Sequence, residues 1–147
     1  MENINIEDGF WINEPKKSMV SKEKISIVTE EKTDFWQRTH YGFRNDNAPA
    51  FLFKTGEETF SFIIKTAFDS KKVYDQCGII IYQNSDNWFK ASIEYENNVY
   101  QRLGSVVTNN GYSDWATTDI DASVLTSSYY DKCYCLFFHL PRHHQSA

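Results

Sequence analysis

The stretch from Trp88 to Glu96 alternates with a period of two, and this constrains the fold more than any other feature of the chain. Phe89, Ala91, Ile93 and Tyr95 fall on one face, and Trp88, Lys90, Ser92, Glu94 and Glu96 on the other. Successive side chains of a strand point to opposite faces, so a strand that buries one face reads this way. The apolar set is the expected buried face. The other set lines up an indole, an ammonium, a hydroxyl and two carboxylates, which suits the floor of a groove better than a plain solvated surface.

The flanking segments continue the pattern. Gln76 to Gln83 is apolar on both faces, with Ile79 and Ile81 against Ile80 and Tyr82, as in a covered central strand. Asn84-Ser85-Asp86-Asn87 is turn chemistry and joins this strand to the next as a hairpin. Asn97-Asn98 and Asn109-Asn110-Gly111 mark two further turns, with strand residues from Val99 to Thr108 between them and a short element from Tyr112. Upstream, a short strand ends at Pro15, Lys24 to Thr29 alternates, Ala50 to Phe53 is brief, and Thr59 to Phe68 reads as a strong strand. No stretch keeps a helical period over three turns. Strands recurring at such spacing, joined by tight turns, predict an all-β sandwich with antiparallel pairing. The aromatic fraction of 16% agrees, because aromatic residues favour strands. Glu30 to Pro49 breaks the pattern. It is too aromatic for a disordered linker and reads as a folded flap.

A chain of 147 residues is expected to form one domain, residues 1–147. Its net charge of −5 speaks against a nucleic-acid partner held through phosphates. The lysines at 16, 17, 22 and 24 are interspersed with Glu14, Glu23, Glu30 and Glu31 and form no basic stripe. No run approaches the roughly 18 apolar residues of a membrane span, and the acidic start lacks the apolar core of a signal peptide. Three cysteines, Cys77, Cys133 and Cys135, make no even disulfide set, which points to a reducing, cytoplasmic setting. Cys133 and Cys135 do not have zinc-site spacing, and His139, His143 and His144 sit in the tail around Pro141, so no metal is expected. No phosphate-cradling glycine loop and no serine–histidine arrangement occurs, so no cofactor and no hydrolase triad is expected either.

The remaining chemistry gathers near the opening strand. Trp88 offers a flat apolar platform for a sugar ring, and Lys90 a point charge for a carboxylate or phosphate. Asp75 and Gln76 start the central strand and are candidates for the groove rim, or for capping a turn. Trp36 and Tyr41, with Asp34 and His40, are placed to close the flap over the groove; alternatively Phe35, Trp36 and Phe43 plug the end of the sandwich. Asp114 and Trp115 follow the Gly111 turn, where Asp114 would cap the turn or orient Lys90. Glu94 and Glu96 lie two apart on one strand, with Cα atoms roughly 6.5–7 Å apart. That compares with the carboxyl separations of about 6.5–9.5 Å in inverting glycosidases. The alternative is an acidic face in which Glu94 pairs with Lys90.

Asp34-Phe35-Trp36, Tyr41-Gly42-Phe43, Asp46-Asn47, Tyr74-Asp75-Gln76-Cys77-Gly78, Trp88-Phe89-Lys90, Ile93-Glu94-Tyr95, Ser105-Val106-Val107-Thr108 and Ser113-Asp114-Trp115 together resemble the signature blocks of the regulation-of-enolase family. The resemblance runs from Phe10 to about Trp115. It implies the concanavalin A-like lectin/glucanase superfamily: a jelly-roll sandwich of two antiparallel sheets, the inner one concave. It implies no established catalytic residues, and a possible metabolic enzyme partner such as enolase. The carboxylate pattern of jelly-roll glucanases, with a middle aspartate, is absent. Residues 120–147 diverge from the family, so the sandwich is expected to be incomplete at its C-terminus, with open sheet edges available for a homodimer. The expected function is non-catalytic binding of a small carbohydrate-like or phosphorylated ligand in the concave groove. The alternatives are a glycan-active enzyme using Glu94 with Glu96 or Asp75, and regulation of a metabolic enzyme through protein contact.

Overall fold

A computed structural model of the chain describes residues 5–56, 59–61, 63–123 and, as backbone, 136–139. After a short 3-10 turn (Ile6–Asp8), the strands are β1 (Phe10–Ile12), β2 (Lys17–Val20), β3 (Ile25–Val28), β4 (Phe35–Gln37), β5 (Arg44–Asp46), β6 (Ala50–Lys54), β7 (Gln76–Asn84), β8 (Asn87–Tyr95), β9 (Tyr100–Asn109), β10 (Tyr112–Asp121) and β11 (Leu136–His139). A seven-stranded sheet has the order β1-β6-β11-β7-β8-β9-β10, and β2–β3 and β4–β5 form separate two-stranded sheets. Among the described residues the fold is all-β, with layered antiparallel sheets and no closed barrel. The exception to antiparallel pairing is β11, which lies parallel to both β6 and β7.

The β7–β10 meander follows directly from its turns. Asn110 and Gly111 take φ of 50° and 78°, the two positive values that a two-residue hairpin turn requires. This fixes the register Asn109↔Tyr112 and carries it unbroken to Tyr100↔Asp121. Asp86 N–H donates to Asn84 Oδ1 at 2.9 Å in the β7–β8 turn, an Asx turn as the sequence suggests.

Four expectations need correction. Residues 30–49, read as a flap outside the strand pattern, carry the β4–β5 hairpin. The polar stretch after Pro15 contains β2, paired with β3. The element beginning at Tyr112 runs ten residues, because β9 supplies a partner along its whole length. Conversely, the described part of residues 59–68 lies in no strand. The edge of β7 that it would join is occupied by β11, and β-propensity without a ladder partner does not make a strand. Phe60 and Phe68 still pack against the core. The tail cysteines Cys133 and Cys135 and the histidines His143 and His144 lie outside the described residues, and Cys77 is buried and in no disulfide among the described residues.

The largest correction concerns which face of β8 is covered. Trp88 is 4% exposed and Lys90 9%, whereas Phe89, Ala91, Ile93 and Tyr95 are only half-buried. The flap packs on the face that carries the polar row. The core joins Ile25 and Ile27 of β3, Phe35 of β4, Ala50–Phe53 of β6 and, from the main sheet, Ile80, Trp88 and Val106. Among the described residues no helix is long and apolar enough to cross a membrane.

Candidate functional site

The antiparallel registers arrange the flap-side residues of β7, β8, β9 and β10 in rows across the sheet. The first is Tyr82, Trp88, Thr108 and Ser113; the second Ile80, Lys90, Val106 and Trp115; the third Gly78, Ser92, Gly104 and Thr117; the fourth Gln76, Glu94, Arg102 and Asp119. Row one is sealed. Phe35 packs edge-on against Trp88 with ring centroids 5.9 Å apart, and lies 6.3 Å from Tyr82. Gln37 N–H donates to Ser113 Oγ at 2.9 Å, and Gln37 Nε2 to the Ser85 carbonyl at 2.8 Å. Arg38 Nη1 donates to the Gly111 carbonyl at 3.1 Å and lies 3.7 Å from Asp86 Oδ1. The flap is thus pinned to both hairpin turns at this end of the sheet.

Rows two to four open into a cavity of about 450 Å³. Its floor comes from the sheet, its walls from Trp36, His40 and Phe43 of the flap, Trp115 of β10 and Tyr74 before β7. The glycine at 104 gives Trp115 its place: a Cβ there would come within 3.0 Å of the indole Nε1.

Four polar groups on one side of the cavity are tied together. Lys90 Nζ lies 2.8 Å from Asp34 Oδ1, and the two side chains are 11% and 31% exposed. The same oxygen accepts from Phe35 N–H at 2.7 Å and from Gln76 Nε2 at 3.3 Å. Ser92 Oγ donates to Gln76 Oε1 at 3.2 Å. A buried ammonium needs such a partner, so Lys90 brings the base of the flap onto the sheet.

Glu94 stands apart from this network. Among the described residues no hydrogen bond or ion pair reaches its carboxylate. Burial pushes its pKa up; Lys90 and Arg102 nearby counteract this, and Asp34 and Glu96 add to it. Arg102, directly opposite on β9, is engaged elsewhere: its Nε lies 3.3 Å from Glu96 Oε2, as an ion pair without hydrogen-bond geometry.

Of the residues singled out from sequence, Asp34, Trp36, His40, Gln76, Lys90, Glu94 and Trp115 line the cavity together. Four others do not. Trp88 is core, its indole N–H spent on the Ser85 carbonyl at 3.3 Å. Tyr41 is 97% exposed, its ring against His40, and it does not line the cavity. Asp75 caps the preceding turn, accepting from the N–H groups of Lys71 and Lys72 at 2.8 and 2.9 Å. Asp114 is exposed and caps Trp115 N–H at 2.9 Å. Glu96 is occupied by Arg102, so no second carboxylate from that pair faces the cavity beside Glu94.

Sequence reasoning missed Tyr74, Arg102 and Thr117. A partial signal existed for Arg102: a two-residue turn at Asn97-Asn98 sets its neighbour Gln101 opposite Glu94, and the loop is one residue longer, which brings Arg102 there instead. No comparable signal marks Tyr74, which depends on a loop held by a Tyr74 N–H to Tyr95 carbonyl bond of 3.0 Å.

Comparison with known proteins places this geometry in a family. Residues 11–134 match the family described as "Protein of unknown function (DUF1349)". The chain is 36% identical over 116 residues to "Regulation of enolase protein 1" of Saccharomyces cerevisiae, covering 79% of this chain and 57% of that protein. It is also similar, at 34% identity and a TM-score of 0.62, to a crystal structure of a functionally unknown protein from Saccharomyces cerevisiae, over 78% of this chain and 60% of that one. The chain therefore spans a little over half the length of the relatives it matches. With a family match over most of its residues and a relative more than a third identical, the chain belongs to the DUF1349 family, and its resemblance to regulation-of-enolase proteins holds at the level of family.

Proposed function

We propose that the cavity beside β8 binds a small, neutral, polyhydroxylated ligand of sugar-like size without chemical turnover. The observation that carries this reading is Glu94: a half-buried carboxylate on the cavity floor, with no hydrogen-bond partner among the described residues, between aromatic walls. A lone acceptor of this kind suits ligand hydroxyls, and indole faces such as those of Trp36 and Trp115 suit the C–H face of a sugar ring. Phosphorylated ligands fit less well. Lys90 is already neutralised by Asp34 at 2.8 Å, and Arg102 is paired with Glu96. A glycosidase mechanism pairing Glu94 with Glu96 or Asp75 fits less well, because both are engaged outside the cavity, and the second carboxylate in the cavity, Asp34, is held by Lys90.

The test is titration of the protein with a panel of mono- and disaccharides, followed by tryptophan fluorescence and calorimetry. Saturable binding that is lost in Trp115→Ala and weakened in Glu94→Gln, with no product formed, is the expected result. Turnover abolished by Glu94→Gln would replace binding by catalysis. Tighter binding of sugar phosphates than of the parent sugars would overturn the argument from the paired cations.

A second reading, regulation of a metabolic enzyme by direct contact, is supported by the name of the yeast relative. It predicts that purified enolase co-sediments with the protein and that Trp115→Ala leaves this intact. No co-sedimentation at micromolar concentrations would remove it.

A further inference from the structure

The other notable surface is the free edge of the main sheet. Among the described residues β10 is last in the strand order and pairs only with β9. It runs ten residues with no register shift, so no bulge twists it away from a neighbour. It holds no proline and no lysine, and every residue from Asp114 to Asp119 is exposed. Natural sheets blunt such edges with these devices or cover them.

The turn decides which backbone groups are free. In a two-residue hairpin the residues flanking the turn form a hydrogen-bonded pair, and bonded and non-bonded pairs then alternate. Tyr112↔Asn109 is that first pair, so Asp114, Ala116, Thr118 and Ile120 bond to β9. Trp115, Thr117 and Asp119 direct their N–H and C=O groups outward. The Asp114 carboxylate on Trp115 N–H agrees with this, since that N–H has turned away from β9. Among the described residues Thr117 and Asp119, with Asp121 at the strand end, are left with open main-chain donors.

The charged residues of β10 itself have one sign, with Arg102 of β9 lying opposite Asp119. Asp114, Asp119 and Asp121 lie on β10, which has no basic residue, within a chain of net charge −5. A second copy of the same strand would bring three more carboxylates to the seam. An extended segment rich in lysine or arginine would neutralise them.

We infer that the β10 edge is a strand-addition site for an extended basic segment of another protein, which pairs its backbone with Thr117 and Asp119. Strand addition takes affinity from main-chain bonds and selectivity from alternate side chains. Residues opposite Asp119 share its face, so a basic side chain there meets that carboxylate. The proposal is independent of the ligand assigned to the cavity.

The test uses the full chain and two synthetic peptides of alternating threonine and valine, one with interspersed lysines and one with glutamates at the same positions. Fluorescence anisotropy reads binding, and amide exchange reads protection of Thr117 and Asp119. The lysine peptide is expected to bind saturably and protect both amides, and the glutamate peptide to bind at least about tenfold more weakly. Asp119→Pro removes an outward donor that the β9 ladder does not use, a position where edge proline is tolerated. It should abolish peptide binding. Asp119→Lys keeps the donor and should narrow the preference between the peptides at least about tenfold, and it serves if the proline variant melts early. Equal affinity for both peptides, no protection at Thr117 and Asp119, or a homodimer closed through this edge in sedimentation would each overturn the proposal.

Discussion

Asp34→Ala should be the most damaging single polar substitution among the cavity residues, through the lysine it leaves behind. Lys90 has a side chain only 11% exposed, and its ammonium lies 2.8 Å from Asp34 Oδ1. Stranding one member of a buried pair costs about 3–5 kcal/mol. Gln76 Nε2 also loses its acceptor at 3.3 Å, worth about 1 kcal/mol. Asp34 is itself 31% exposed, so water reaches the gap and the sum falls toward the lower end, about 3 kcal/mol. Lys90→Met is the informative contrast. It removes the ammonium and leaves a partly solvated carboxylate still bonded to Phe35 N–H and Gln76, so its cost should be about 1 kcal/mol. The double variant should be more stable than Asp34→Ala alone, because no charge is then left stranded. Urea unfolding of all four proteins closes the cycle, with an interaction energy of about 2 kcal/mol expected. In melting temperature, Asp34→Ala should lie about 6–12 °C below the parent for a chain of this size. Equal costs for the two single variants, or a cost below about 1 kcal/mol for Asp34→Ala, would refute the claim that desolvated charge on Lys90 holds the flap base.

Two further outcomes follow from the same geometry. Burial raises the Glu94 pKa, so its charge opposes folding; the favourable contribution of the neutral acid is complete below the ordinary carboxylate range and is lost as pH rises through the raised folded value. Glu94→Gln should therefore match the parent in melting temperature at low pH and exceed it at neutral pH, and a parent that is the more stable at neutral pH would contradict this. Gly111→Ala places a Cβ at a φ of 78°, where it would run into the Arg38 guanidinium. A loss of about 1–2 kcal/mol in chemical denaturation, with faster amide exchange across residues 37–43, is the expected result, and a loss below about 0.5 kcal/mol would show that Arg38 does not hold the flap there.

The all-β fold, the β7–β10 hairpins and the candidate row Lys90, Ser92, Glu94 were legible in the sequence because each depends on local physics. Alternation sets which residues share a face, and Asn-rich turns set which strands pair. Counting outward from Asn97-Asn98 as a two-residue turn sets Glu94 opposite Gln101, one position short of the observed Arg102, because the loop is one residue longer. Which face of a strand is covered, however, is not a local property. Trp88 reads as a groove platform by alternation alone, yet it is core, because Phe35, more than fifty residues earlier, packs on it. Phe89 and Ile93 read as core, yet stay half-buried, because the flap lies on the other side. Residues 59–68 have the propensity of a strand but no ladder to join. The opening stretch thus fixed by itself that Trp88, Lys90, Ser92 and Glu94 share a face. Only long-range packing decided that the first two would be buried by the flap, one against Phe35 and one against Asp34, while Glu94 was left in the cavity without a partner among the described residues. The physical reason is that burial is set by whatever the rest of the chain lays on a face, and no residue's own neighbours in sequence carry that information.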